Sequence, residues 1–146
     1  MDWKREALGK LKNYEAMRSC LQAIPLELQR LELDAQKIRS ADPGRVAVKG
    51  GILRDDALLN NIVHRQELQN QLSQAQCWVR GVEQALSALP EEQRQVLRQL
   101  YIVPRKGALE QLCGELGVEQ STVDRRRDQA LRQFTTALYG ANGMDS

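Results

Sequence analysis

The chain has 146 residues, of which 21 are Lys or Arg and 19 are Asp or Glu, for a net charge of +2. That length holds one modest domain, or a small domain with a helical extension. The charge excludes a protein that coats nucleic acid by bulk electrostatics, so any DNA contact has to be local. One Phe, two Trp and three Tyr stand against an abundance of Leu, Ala, Gln, Glu and Arg, a composition that suits helices far better than sheets and predicts an all-α fold. Cys20, Cys77 and Cys113 are odd in number and form no C-x-x-C pair. Reduced thiols in a cytoplasmic protein are the simplest account, with no disulfide framework, zinc or other cofactor expected. The opening MDWKREALGK lacks the apolar run of a signal peptide, and no stretch is long enough to cross a bilayer, so no membrane partner is expected.

From Met17 the apolar residues fall at Met17, Leu21, Ile24, Leu28, Leu31, Ala35 and Ile38. Spacings that alternate four and three draw one narrow stripe along a helix. Leu8, Leu11 and Tyr14 extend it toward the N-terminus with looser spacing. Pro25 interrupts the run, and a bend or break is expected there. SADPGRVAVKGG, from Ser40 to Gly51, then ends the helix with Pro43 and three glycines. A second long helix is predicted from about Asp55 to Leu89. Its second half repeats the four-three rhythm at Leu72, Ala75, Val79, Val82, Leu86 and Leu89, while Leu58, Leu59, Ile62, Val63 and Leu68 in its first half are less regular. Two helices with narrow seams cannot bury them alone. They either fold back as a coiled-coil-like antiparallel hairpin or pair across a homodimer, and the pattern is compatible with each.

The last third differs in kind. LPEEQRQVLRQLYI, from Leu89 to Ile102, begins with Pro90 and two acids at what would be the positive end of a helix dipole. VPRKG breaks the chain, ALEQLCGEL forms a short helix ending at Gly117, and a final helix runs from about Gln120 to Leu138. A short helix, a glycine turn and a second helix make a helix-turn-helix. Leu109, Leu112, Leu116, Val118 and Val123 are placed to hold the two helices together, Cys113 is small enough for their crossing, and Gly117 can take the positive φ of the turn. The division is therefore 1–89 as the helical region with a connection at 40–54, 90–140 as the helix-turn-helix domain, and 141–146 as a tail.

LPEEQRQVLRQLY, ALEQLCGELGV and STVDRRRDQAL together resemble region four of the sigma-70 family, the DNA-binding module of bacterial sigma factors, over about Leu86 to Leu138. The long helical N-terminal part and the closing ALYG look similar to small phage-encoded regulators of the ArpU and RinA type, which switch on late, packaging or lysis genes. The resemblance implies sequence-specific binding of double-stranded DNA and a role in transcriptional regulation, with RNA polymerase as a further partner. Carried across, the family's base-reading positions are Gln120, Ser121 and Asp124, on either side of Val123. The family usually keeps an apolar residue where Arg126 sits and a serine-type cap where Glu119 sits. Ser121 with Asp124 offers an alternative capping box, which would start the last helix later.

A helical wheel anchored on a buried Val123 points Ser121, Arg125, Asp128 and Arg132 away from the core, and sets Arg126 and Arg127 near its edge. Arg125 is then the arginine aimed at base edges, with guanine its commonest target. Arg126 and Arg127 lay their stems along the core and extend their heads to phosphates or neighbouring carboxylates. With Thr122, these complete the candidate DNA-binding set. The bland alternative for the arginines is i,i+3 and i,i+4 pairing with Asp124 and Asp128 on a solvated face. From Pro90 to Gly140 there are eight basic and seven acidic residues, so one copy should bind weakly, and dimerisation or polymerase contact would make up the deficit.

No enzyme is expected. His64 is the only histidine and has no acid or nucleophile at catalytic spacing, Cys113 reads as a packing residue, and Gly50-Gly51 lacks the lysine-serine pattern of a phosphate loop. A phage packaging or assembly component, such as a small terminase-like oligomer, is the alternative from a different class.

Overall fold

The computed structural model describes residues 2–40 and 50–140, the side chains of 50–53 apart. Most of the 40–54 connection and the 141–146 tail lie outside the described residues. Within them the chain is all-helical, with no strand: α1 (Trp3–Lys12), α2 (Tyr14–Ser40), α3 (Gly50–Ser87), α4 (Glu91–Leu97) running on into a π-helical turn (Arg98–Ile102), α5 (Ala108–Leu116) and α6 (Gln120–Tyr139). Among the described residues no helix is long and apolar enough to cross a membrane.

Two compact units divide the chain. One comprises the described residues of Met1–Met17 and Cys77–Ser146, the other Arg18–Gln76. The 89/90 boundary expected from the sequence thus falls inside the first unit, which takes in α1 and the end of α3.

α1 forms because Asp2 caps it, its Oδ1 accepting from the Arg5 N–H at 3.1 Å, with Glu6 in the first turn and Lys10 and Lys12 in the last. The helical run is interrupted at Asn13, whose backbone N–H and side-chain amide donate to the Gly9 carbonyl at 3.0 and 2.8 Å. Pro25, where the break was expected, lies inside an unbroken α2. Its ring is exposed, and the stripe on either side of it, Leu21, Ile24, Leu28 and Leu31, is buried or half-buried. That packing offsets the roughly 3 kcal/mol a mid-helix proline costs. α3 likewise starts at Gly50, earlier than the glycine-rich stretch suggested, since a first turn has no intrahelical N–H bonds to lose.

In the second unit, α2 and α3 lie alongside each other. The Arg54 guanidinium donates to the Arg39 carbonyl, and Asn61 Nδ2 donates to the Leu31 carbonyl at 2.8 Å. As the partner advances along α3 it recedes along α2, the sense of an antiparallel pair. Asn61, a buried polar residue, also accepts from Arg65 Nε at 2.8 Å, so its amide is satisfied on both sides.

In the first unit α6 is the hub. Its N-terminal half packs on α4 and α5 through Val123; its C-terminal half carries Ala130, Leu131, Phe134 and Thr135 into a core shared with α1. Trp3 stacks on Tyr139 with ring centroids 4.7 Å apart, and Lys10 Nζ lies 5.0 Å from the Tyr139 ring and 5.7 Å from Trp78. The Tyr14 hydroxyl donates to Glu83 Oε1 at 2.6 Å. Burial, and then the Glu6 carboxylate beside it, push the Tyr139 hydroxyl up to about 12.

Candidate nucleic-acid interface

α5 and α6 are joined by a turn at Gly117, which adopts φ 66 and ψ 36. An L side chain there costs about 1–2 kcal/mol in backbone conformation, although open space surrounds the Cα. The N–H groups of Gly117 and Val118 turn back to the Cys113 carbonyl, closing the end of α5. Beneath the turn Val96, Leu112 and Val123 are fully buried, with Leu100, Leu109, Cys113, Leu116 and Val118 packed around them. These are the anchors the sequence proposed, together with Val96 and Leu100 from α4 and the π-helical turn. Cys113 is half-buried against the cluster and carries a free thiol.

α6 begins at Gln120. Glu119 is its extended N-cap, makes no side-chain cap bond, and offers its carbonyl to the N–H groups of Thr122 and Val123 at 3.1 Å each. The later start through a Ser121–Asp124 capping box is therefore not adopted. The Val123–Glu119 bond already closes a helical turn there, because burying Val123 requires the helix to be formed at that point. Ser121 is left exposed and Asp124 turns to Arg127.

With Val123 at 0% exposure, the opposite side of α6 is open: Ser121, Arg125, Asp128 and Arg132 are exposed there, Gln120 is exposed at the helix start, and Thr122, Asp124, Arg126 and Arg127 are half-buried. Asp124, Arg125, Asp128, Gln129 and Arg132 line one shallow groove along this side. The three consecutive arginines take three different situations. Arg125 forms no ion pair among the described residues. Arg126 pairs with Glu92 at the start of α4, so its charged head is neutralised at the rim of the core. Arg127 spans Asp124 Oδ1 at 3.3 Å and Asp128 Oδ1 at 3.5 Å, the intrahelical pairing of the bland alternative. All these groups are a third or more exposed, where such pairs contribute little to stability.

Sequence reasoning left out Glu92 and Tyr101. Glu92 was read only as a helix-start acid, and its partner lies 34 residues away. Tyr101 lies on the π-helical turn. Burial raises its hydroxyl pKa, opposed by the Arg127 charge and reinforced by Asp128 and Asp124, which puts it beside the basic stretch. A residue next to a cationic helix but distant in sequence leaves no local signal. Glu115 on α5 accepts from Gln95 at 2.6 Å and from Gln99 and Gln111 at 3.0 Å each, and these bonds, Gln99 and Gln111 foremost, hold its carboxyl below the usual range. The result is a polar clamp of α4 and the π-helical turn onto α5.

Net charge near zero conceals a sorted distribution. Between Pro90 and Gly140, Arg94 pairs with Glu91, Arg126 with Glu92, and Arg127 with Asp124 and Asp128. Arg98, Arg105, Lys106, Arg125 and Arg132 make no ion pair among the described residues. His64 is exposed on α3, and no group of three His, Cys, Asp or Glu among the described residues could hold a metal ion. Comparison with protein-family models, with curated proteins and with solved structures returns no match for this chain.

Proposed function

We propose that the chain is a sequence-specific double-stranded DNA-binding transcriptional regulator. In this reading α5 and α6 form a helix-turn-helix with α6 as the recognition helix, and α2 and α3 form an antiparallel hairpin that serves as a scaffold or dimerisation arm. The observation that carries the reading is the sidedness of α6: Val123 sealed in a core with Val96 and Leu112, and Ser121, Arg125, Asp128 and Arg132 in the open on the other side. From Ser121 to Asp128 is about 10 Å at 1.5 Å per residue, a length that a major groove about 12 Å wide accepts. The α6 N-terminus, without a side-chain cap, presents N–H groups suited to a backbone phosphate. Resemblance to sigma region four supports the same role, and the phage late-regulator likeness points to promoter DNA with RNA polymerase as a partner.

Arg125 reaches base edges in this reading. Arg126 and Arg127 stand at the rim, where they trade carboxylates for phosphates when DNA arrives. Binding of selected and random duplexes by the full-length chain over a salt series tests it. Arg125→Ala should cost about 1–3 kcal/mol on the selected site and relax preference at one base step. Arg127→Ala should weaken selected and random DNA alike. Its salt slope should fall by about 1. Equal losses on both DNAs for both variants would refute the division of roles, and an absence of salt-dependent binding to any duplex would refute the function.

A further inference from the structure

A carboxylate on a helix that enters DNA is a cost, because it brings negative charge toward a polyanion. Asp128 sits on the most outward stripe of α6, exposed, between Arg125 one turn before it and Arg132 one turn after. Arg127 pairs with it through Oδ1 at 3.5 Å, too long for a hydrogen bond. Asp124, by contrast, is half-buried and held at 3.3 Å by the same guanidinium. So Asp128 is the more exposed and more outward of the two acids on this face.

We propose, resting on the DNA-binding reading above, that this face selects two adjacent G·C pairs, with Arg125 donating to guanine O6 and N7 and Asp128 accepting from cytosine N4. In the major groove only cytosine N4 and adenine N6 donate. Adenine sets its N7 acceptor beside that donor, and a carboxylate there meets a lone pair; cytosine has no such neighbour, so the acid discriminates for it. Three residues separate Arg125 from Asp128, about 4.5 Å along the helix, close to the 3.4 Å of one base step, so the two contacts fall on neighbouring pairs. Arg132 lies about 16 Å from Ser121 along α6, beyond the groove's width of about 12 Å, and takes a flanking phosphate.

The test is selection of duplexes from a random pool by the full-length chain, followed by affinities of the wild type, Asp128→Ala and Asp128→Asn for the selected duplex and for its single-pair substitutions. The selected site should hold two adjacent G·C pairs, and replacing the cytosine should weaken the wild type about tenfold or more. Asp128→Ala should lose that discrimination, keep guanine preference at the neighbouring pair, and tighten binding to random duplex by removing one negative charge. Asp128→Asn should shift the preferred base at that pair, since its amide also donates. A defined selected site without adjacent G·C pairs, or Asp128 variants with unchanged base preference, would overturn the inference while leaving DNA binding intact. If no duplex is enriched and none is bound in a salt-dependent way, the underlying function falls with it.

Discussion

The two compact units solve the burial problem differently. Among the described residues, every large side chain that is fully buried, namely Phe134, Leu11, Leu97, Leu112, Val82, Val96, Val123 and Thr135, belongs to the unit built from α1, the end of α3, α4, α5 and α6. Of the six exposed large hydrophobics among the described residues, Leu26, Leu33, Leu59, Ile62 and Val63 belong to the two-helix unit. A side chain in the multi-helix unit is covered from several directions. Two helices side by side cover only the stripe between them, so Leu28, Leu58, Leu68 and Leu72 remain half-buried. The difference teaches that a regular heptad-like pattern predicts where a seam lies but not how completely it closes.

The sharpest way to break this contrast is to truncate one side chain from each unit and measure denaturant unfolding. Phe134→Ala should cost about 3–5 kcal/mol, because it empties a site with no solvent exposure. Leu59→Ala, at 58% exposure, should change stability by about 0.5 kcal/mol or less. A loss of several kcal/mol for Leu59→Ala would mean that something covers that face in solution. A smaller effect is expected at Asn61, the one buried polar residue among the described residues of the two-helix unit. Asn61→Ala removes the bond to the Leu31 carbonyl, which keeps its intrahelical partner, at a cost of about 0.5–1.5 kcal/mol. Equal stability of Asn61→Ala and wild type would show that the α2–α3 pairing does not depend on this bond.

The smallest effect is titrational and belongs to the multi-helix unit. The Tyr139 hydroxyl ionises near 10 in the unfolded chain and about 12 in the folded one. The folded state therefore holds its proton more tightly, and the contribution is complete below pH 10 and lost as pH rises through 12. Melting temperature followed across that window should fall less steeply in Tyr139→Phe than in the wild type. Identical alkaline profiles would exclude Tyr139 as a source of the loss.

Much of the candidate face was legible before any coordinates. The apolar anchors at Leu109, Leu112, Leu116, Val118 and Val123 lie within fifteen residues, and their helical phase dictates which side of α6 is outward. Arg126 illustrates the limit. Its place near the core edge follows from the wheel, but the choice of Glu92 as its partner depends on how α4 packs on α6. The intact helix at Pro25 marks the same limit, since local propensity favoured a break there and packing along the stripe overrode it.

By itself the sequence determined what is local and periodic: helices in place of strands, the seam from Met17 to Ile38, the glycine turn at Gly117, and the opposed placement of Val123 and Arg125. Tertiary structure decided what joins segments far apart. α1 belongs with α6 through Trp3, Lys10 and Tyr139, and of the three consecutive arginines only Arg125 is left without an ion pair among the described residues. The reason is physical: periodicity records which face of a helix avoids water, whereas partner choice is a competition among surfaces that meet only once the chain is packed.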